Sequence, residues 1–543
     1  MTTDSEEAYT GRWVARLRGK IIAQGGTPEQ ARLAALTRFK ENPQIDFIPD
    51  PAVENYPPLL DKISPALPKN ESVYLVGGAV RDMLLNREVH DLDFTLAANG
   101  IKTARAVANS LKAKFFPLDD ERDTGRVILD MDGRKIALDF ASYRGTNLDT
   151  DLMGRDFTVN AIAFEVRSHQ IFDPLGGKMD LKEMKLRSCS PSSIPDDPVR
   201  ILRAIRLAAD LGFEITTETR AGMKKYSSLL VEISPERVRD ELFRILEGNK
   251  PTSCLRALDM LGALDYILPE LSRMKGVTQQ APHQQDVWDH VLTLCKNLET
   301  MFEQLETGKT ADRGDLQSDL LSMRIGTLRE KINNHLGTEL AGNRKRRGLL
   351  FLAALYHDAG KPTTQKTDAE GQMHFWGHEV HGAEVAGTRA RYFAMSNDEI
   401  RILETVIHNH MRFIFHVNRL VKDGKAPSRR AIYRFFRDSG SAGVELCLLG
   451  LADIRATYQE TLPEETWAAA MEIAHLFLEN WYEKPTESIN PPPIVDGDDL
   501  MHACHLSPGP QVGELLEAIR EAQATGMVKT REEAISLARG KLG

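Results

Sequence analysis

The stretch LVGGAVRDMLLNREVHDLDFTLA, residues 75–97, restricts the fold more than any other part of the chain. An apolar run of strand character meets the pair Gly77–Gly78, which admits a backbone turn closed to bulkier residues. The periodicity that follows predicts a helix, and DLDFTL returns to the two-residue alternation of a strand. Further strand patterns in GRVILD and RKIALDFA, with a helical pattern in IKTARAVANSLKAK, extend this unit to about residue 185. After PDDPVR (195–200) the pattern is helical throughout. The expected fold class is therefore α+β: a mixed-sheet head followed by all-helical neck, body and tail domains.

Prolines in DPAVENYPPLL and NPPPIVDGDD (490–499) mark boundaries. The expected organisation is a helical N-terminal extension (1–58), a head (59–185), a helical neck (186–275), a helical body (276–470) and a tail (471–543). Residues 301–347 are polar and read as an insertion or mobile connection within the body. A chain of 543 residues with 42% hydrophobic content can build several cores. Its five cysteines form no CxxC pair, and no run of about 18 uncharged apolar residues occurs. These features predict a cytoplasmic protein without membrane insertion. A net charge of −9 argues against a chain that coats nucleic acid indiscriminately, since such binding rests on clustered Lys and Arg. Local basic grooves remain, with VRILRAIR (199–206), NRKRR (343–347) and RRAIYRFFR (429–437) as candidates, the last with interleaved aromatic residues.

Within DLDFTL, Asp91 and Asp93 lie two apart and project to one face of a strand. Two bare carboxylates that close are costly unless Mg²⁺ lies between them. Paired metal ions about 4 Å apart can activate an attacking hydroxyl and hold a leaving phosphate. Gly77 and Gly78 then fit a turn whose backbone N–H groups approach a triphosphate at the start of a helix. In DDPVR, Asp197 and Arg200 one helical turn apart would offer an acceptor beside a fork of donors. Cytosine and adenine both present an amine next to a ring-nitrogen acceptor, so such a pair would accept C and A and reject U and G.

Taken together, GGAVRDMLL, HDLDFTL, DLMGRDFTVNAIAF, DDPVRILRAIRLAADLGFEI and SPERVRDELFRIL resemble, in order, the class II tRNA nucleotidyltransferases and the similar bacterial poly(A) polymerases. The resemblance implies that Asp91 and Asp93 are the Mg²⁺ ligands, with Asp139 a candidate third carboxylate. It also implies that Gly77, Gly78, Arg81 and Asp82 shape the triphosphate loop, and that Arg155, Asp156 and Asn160 bind ribose and triphosphate. Asp197 and Arg200 would read the base, with Arg203 and Arg206 holding phosphate or bracing the pair. Substrates implied are CTP, ATP and the tRNA 3′ end. Two departures stand out. Gly154 replaces the first of two arginines usual before Asp156, and only GTNLDTDLM separates ASYR from that segment. Family members that add only CC lack the loop usual there, so the product stays open between CC, A, CCA and poly(A).

The helical body carries VWDHVL, LAALYHDAGKP, HFWGHEVHGAE, VIHNHMRF and LGLADIR. A His-Asp pair in an otherwise apolar helix is unfavourable unless a cation or hydrogen bonds satisfy it. The pattern resembles the HD phosphohydrolase superfamily, implying metal ligands His290, His357, Asp358 and Asp453, completed by His378 and His408, with Lys361 facing phosphate. The metal implied is a divalent transition metal or Mg²⁺. An enzyme of another class, an HD phosphohydrolase with an RNA-binding head, is the alternative reading.

Overall fold

Every strand read between residues 72 and 142 is present, in a computed structural model that describes residues 9–10, 12–25, 28–48, 56–89, 91–131, 133–308 and 316–542. The chain divides into two compact units, Met1–Leu230 and Val231–Gly543.

In the first unit, seven strands form one sheet: β4 (Val73–Val76), β5 (Leu92–Leu96), β6 (Lys114–Asp119), β7 (Thr124–Met131), β8 (Arg134–Ser142), β9 (Ala163–Glu165) and β10 (Ile171–Phe172). Their order is β10-β9-β4-β5-β8-β7-β6. Only the central β5–β8 pair is parallel, and it sets Asp93 beside Asp139. Leu92 and Phe94 are buried while Asp93 is exposed, so the alternation in the sequence becomes a core face and a site face. Phe94 stacks on Phe140 across that pair, with ring centroids 4.5 Å apart, and fixes the register that brings the acids together. The glycine pair ends β4 and starts the helix Gly78–Leu84 as predicted.

Residues 1–58 were expected to be helical, and here the structure differs. Strands β1 (Arg12–Leu17), β2 (Lys20–Gly25) and β3 (Gln44–Ile48) form a small sheet in the order β2-β1-β3, with one helix, Pro28–Leu36. Arg18 and Gly19, both at positive φ, turn β1 into β2. A tight hairpin turn needs such residues, which is what RGK supplies. Residues 1–8 and 49–55 of that expected extension lie outside the described residues.

Among the described residues the second unit is helical apart from a two-stranded hairpin, Lys366–Thr367 with Met373–His374. Its main helices are Val287–Thr307, Arg346–Tyr356, His378–Tyr392, Asn397–Asp423 and Gly443–Tyr458. The C-terminal helices Gly497–Cys504, Pro510–Ala524 and Arg531–Leu542 close a separate small core around Leu500, Leu515 and Ile519. Much of the stretch 301–347 is packed helix instead of a mobile connection. Helices Leu316–Ile325 and Arg329–Leu336 bury Leu321, Ile325, Ile332 and Leu336 at helical spacing, and residues 309–315 lie outside the described residues. No described helix is long and apolar enough to cross a membrane.

Two of the basic stretches are not grooves. Arg344 is buried in a two-pronged pair with Glu399, at 2.7 and 2.9 Å, and Arg346 is buried against Glu445 at 2.8 Å. Arg430 and Arg434 both pair with Glu521, while Tyr433, Phe435 and Phe436 are core residues. The aromatics of RRAIYRFFR alternate with the charges because one helix face is buried and the other is not.

Candidate functional site

The head site is built around β5. Asp91 precedes the strand and Asp93 lies in it, both exposed on the side away from Leu92 and Phe94. Partial loss of water to the surrounding protein raises the Asp93 carboxyl above the usual range, exposed as it is, and the negative charges of Asp139 and Asp91 add to this against the pull of Arg155. Acids crowded this way fit a divalent cation, which would reverse the penalty. Asp139 is differently occupied: Arg126 grips both its oxygens at 2.7 Å. Gly77 sits at φ 75° and ψ −143°, and a Cβ there would stand 3.4 Å from Asp93 Oδ2 and 3.6 Å from Arg155 Nη1. Glycine thus lets backbone, carboxylate and guanidinium converge on one point.

Behind that point runs a polar chain. Arg81 donates from Nε and Nη2 to Asp82 and from Nη1 to Asn160 Oδ1 at 2.8 Å. Asn160 donates to Asp156 Oδ1 at 3.1 Å, and Arg203 Nε lies 2.7 Å from Asp156 Oδ2. Burial opposes ionisation of Asp156, yet Arg203 and the hydrogen bonds from Asn160 and the Phe157 backbone hold its carboxyl below the usual range. Gly78 opens the first helical turn, and Arg206 pairs with Asp210 at 3.4 Å.

Asp197 and Arg200, expected from the sequence to read the base, depart from their expected geometry. Asp197 stands before the helix Arg200–Leu211, at φ −151° and ψ 86°, so the two residues do not share a helical face. Pro198 enforces this, because a residue before proline is held extended. The two still meet, Arg200 Nε lying 3.9 Å from Asp197 Oδ2. Arg200 Nη1 donates to Arg155 O and Ser193 Oγ, and Nη2 to Gly154 O, which anchors the arginine on the GRDFTVNA segment.

The stretch GTNLDTDLM forms the helix Leu148–Met153, closed by a capping box between Asn147 and Thr150. Buried Asp151 accepts from the Arg144 backbone N–H at 3.0 Å and from Arg155 Nη2 at 2.9 Å. Arg144, a residue the sequence reading missed, lies with its Cδ 3.9 Å from where a Gly154 Cβ would be. Burial, and then the nearby Arg155 cation, depress its pKa.

In the helical unit six side chains from five segments converge. Oxygen or ring-nitrogen atoms of His290, His357 and Asp453 lie within 4.8 Å of one another, as do those of Asp358, His378 and His410. His290 Nε2 is 3.0 Å from Asp453 Oδ1, and Asp358 Oδ2 is 3.2 Å from His357 Nε2 and 2.6 Å from Lys361 Nζ. Neither imidazole Nε2 has hydrogen-bond geometry to these acids. His357, His378 and His410 each set Nδ1 against a main-chain carbonyl, of Ala354, Phe375 and Ile407, which turns Nε2 inward as a metal ligand requires. A Cβ on Gly360 would meet His378 O at 2.2 Å; that close approach seats His378 over Asp358. Despite burial, His357 and Lys361 hold Asp358 well below the carboxylate range, while burial and the neighbouring histidines push His410 down to about 3. Such a set, two carboxylates and four imidazoles, fits divalent metal.

His408 is the exception among the expected ligands. It is exposed, and His410 takes its place, because Leu403, Val406, Ile407, His410 and Phe413 form the buried face of their helix. His283 was also missed; it packs edge-on to His290, with ring centroids 5.0 Å apart, and is pushed down to about 4 by burial and Lys361. The cluster opens into a cavity of about 750 Å³ lined by His283, Lys361, Phe375, Trp376 and Met411 among others.

Residues 73–187 match the family model of the poly A polymerase head domain, and 212–275 that of a probable RNA and SrmB-binding site of polymerase A. Residues 322–435 match the HD domain and 487–538 a tRNA nucleotidyltransferase domain 2. The chain is 31% identical to a CC-adding tRNA nucleotidyltransferase of Geobacter sulfurreducens, over 85% of this chain and 90% of that one. It is 32% identical to an A-adding tRNA nucleotidyltransferase of Deinococcus radiodurans, over 85% and 93%. The fold resembles that of a CCA-adding enzyme solved with ATP, at 20% identity and a TM-score of 0.56, covering 89% of this chain and 94% of that one.

Proposed function

This chain belongs to the tRNA nucleotidyltransferase family, and we propose on that footing that it transfers CMP from CTP to the 3′ end of tRNA and stops after CC. The observation that carries the stop is the short connection between β8 and the GRDFTVNA segment. Its capping box and the double grip of Asp151 make it a brace rather than a lever, and changing the base accepted from C to A needs a segment free to move the base-reading residues.

Asp91 and Asp93 would hold divalent cations, which supply charge neutralisation at the α-phosphate and acidify the attacking 3′ hydroxyl. Mg²⁺ suits an oxygen-only set. The 3′ oxygen bonds to the α-phosphorus, the bond to the bridging oxygen breaks, and pyrophosphate leaves. Arg155, aimed at the Gly77 turn, and Arg203 bind the triphosphate and ribose side, with Arg81, Asp156 and Asn160 fixing their positions. Asp197 accepts the cytosine amine. Arg200 Nη2 spends one hydrogen on Gly154 O and directs its second to the ring nitrogen. The tRNA acceptor arm is held by shape and backbone.

A second reading is favoured by the inward-facing imidazoles of the helical unit: a metal-dependent phosphohydrolase. Lys361 and His283 line that cavity beside the six ligands and would contact the phosphoryl group.

The test of the first reading uses tRNAs ending in the discriminator base, in C or in CC, each with CTP or ATP alone. CTP should extend the first two to CC, and ATP should extend none. A single A on the CC-ended tRNA sinks the stop, and a long A tract makes the protein a poly(A) polymerase.

A further inference from the structure

The cavity above the histidine cluster has a floor and a mouth of different chemistry. Asp358 and His410 at the floor are 1% and 2% exposed, whereas Trp376, on the same cavity, is 71% exposed. An indole left this bare normally forfeits burial worth having. It is nonetheless held in place. His374 lies under it in a parallel stack, with centroids 4.3 Å apart and planes 11° from parallel. His374 is fixed in turn by Asp368, at 2.7 Å from Nε2, and Asp368 accepts the backbone N–H groups of Glu370 and Gln372 at the hairpin tip. Met373 is tied to Gln280 by a backbone N–H bond of 3.0 Å. Trp376 therefore offers one covered face and one open face on a braced support. Across the cavity Met411 and Ile414, on the helix Asn397–Asp423, supply a second apolar wall, and Met411 is 44% exposed.

We propose that Trp376 is a stacking platform for the base of an unpaired nucleotide whose phosphoryl group reaches the histidine and aspartate cluster. This rests on the metal reading of that cluster and adds what the cavity mouth recognises: a base, which gives a nucleoside phosphoester an affinity that a simple alkyl phosphate lacks. A cavity of about 750 Å³ lies within the range of small-ligand sites, roughly 300–1,000 Å³. An open indole face is worth most to a flat π-system, and a base stacked in a duplex has no face to give it.

The experiment uses the full chain with both Asp91 and Asp93 changed to Ala, so that the head transfers nothing, in Mn²⁺. Adenosine 3′-monophosphate and the base-free glycerol 2-phosphate are the probes, read by tryptophan fluorescence and by phosphate release. The nucleotide should quench the fluorescence, and Trp376→Leu should remove that quenching and weaken nucleotide binding roughly 5- to 150-fold, as one stacked base is worth. Trp376→Phe should restore most of the affinity, and glycerol 2-phosphate hydrolysis should not change in either variant. If Trp376→Leu leaves nucleotide affinity intact while phosphate release proceeds, the platform is refuted and the metal reading stands. If neither probe is hydrolysed but the nucleotide still quenches Trp376, the metal reading fails and the platform stands.

Discussion

His410→Ala and His408→Ala, two residues apart on one helix, should part company at the metal site. His410 is 2% exposed, with Nδ1 2.6 Å from Ile407 O, and its Nε2 lies 3.2 Å from His378 Nε2. Both Nδ1 atoms sit against carbonyls, so the two Nε2 atoms face each other, an arrangement a shared cation suits. With its pKa pushed down to about 3, His410 needs no deprotonation to bind at neutral pH. Loss of a mere supporting partner of a ligand costs about 10- to 100-fold in metal affinity, so loss of this ligand should cost at least about 100-fold, or about 2.7 kcal/mol. His408, exposed on the far side of the helix, should cost nothing measurable. Equilibrium dialysis against buffered Mn²⁺, with bound metal measured by mass spectrometry, reads both variants directly. If His408→Ala empties the site while His410→Ala keeps it loaded, the ligand assignment is wrong.

Other outcomes follow from the same geometry. Gly77→Ala forces a side chain into φ 75° and ψ −143° at a cost of about 1–3 kcal/mol, and sets a methyl beside Asp93. CMP incorporation should fall at least about tenfold, and full activity would contradict the convergence drawn there. Acid should destabilise the metal-free helical unit. His283, His410 and His416 stay neutral when folded down to about 4, 3 and 4, mainly through burial, whereas the unfolded imidazoles protonate below about 6.5. Unfolding thus takes up protons between pH 6.5 and 4, and stability falls there by up to about 1.4 kcal/mol per pH unit for each proton. His357, raised against its burial by Asp358, is protonated in both states below about 6.5, so its opposing effect is confined to higher pH and does not cancel the loss in that window. Urea unfolding followed by the tryptophans, four of five in this unit, should show a lower midpoint at pH 5 than at pH 7, and an equal or higher one would refute this.

Much of the head was readable because its chemistry sits on regular elements. Period two in DLDFTL gave both the strand and the shared face of Asp91 and Asp93, and the glycine pair marked the turn. The N-terminal hairpin was missed although RGK carried the turn signal, since the strands RWVARL and KIIAQG alternate weakly beside charged residues. His410 was legible too: its phase with Leu403, Val406 and Phe413 marks it as inward, whereas His408 falls on the exposed face. Asp197 and Arg200 were assigned to one face by spacing alone, and Pro198 between them was the signal against it. His283, Trp376 and Arg144 had no legible mark, as each reaches its site through contacts between segments distant in sequence.

The most direct test of nucleotide transfer at the β5 carboxylates is labelled CMP incorporation into tRNA lacking its 3′ end, with Asp91→Asn and Asp93→Asn made separately. Each variant should lose incorporation by at least about a thousandfold while any phosphate release by the helical unit stays at its unmutated level. Incorporation that survives both changes would place the transfer chemistry somewhere other than β5.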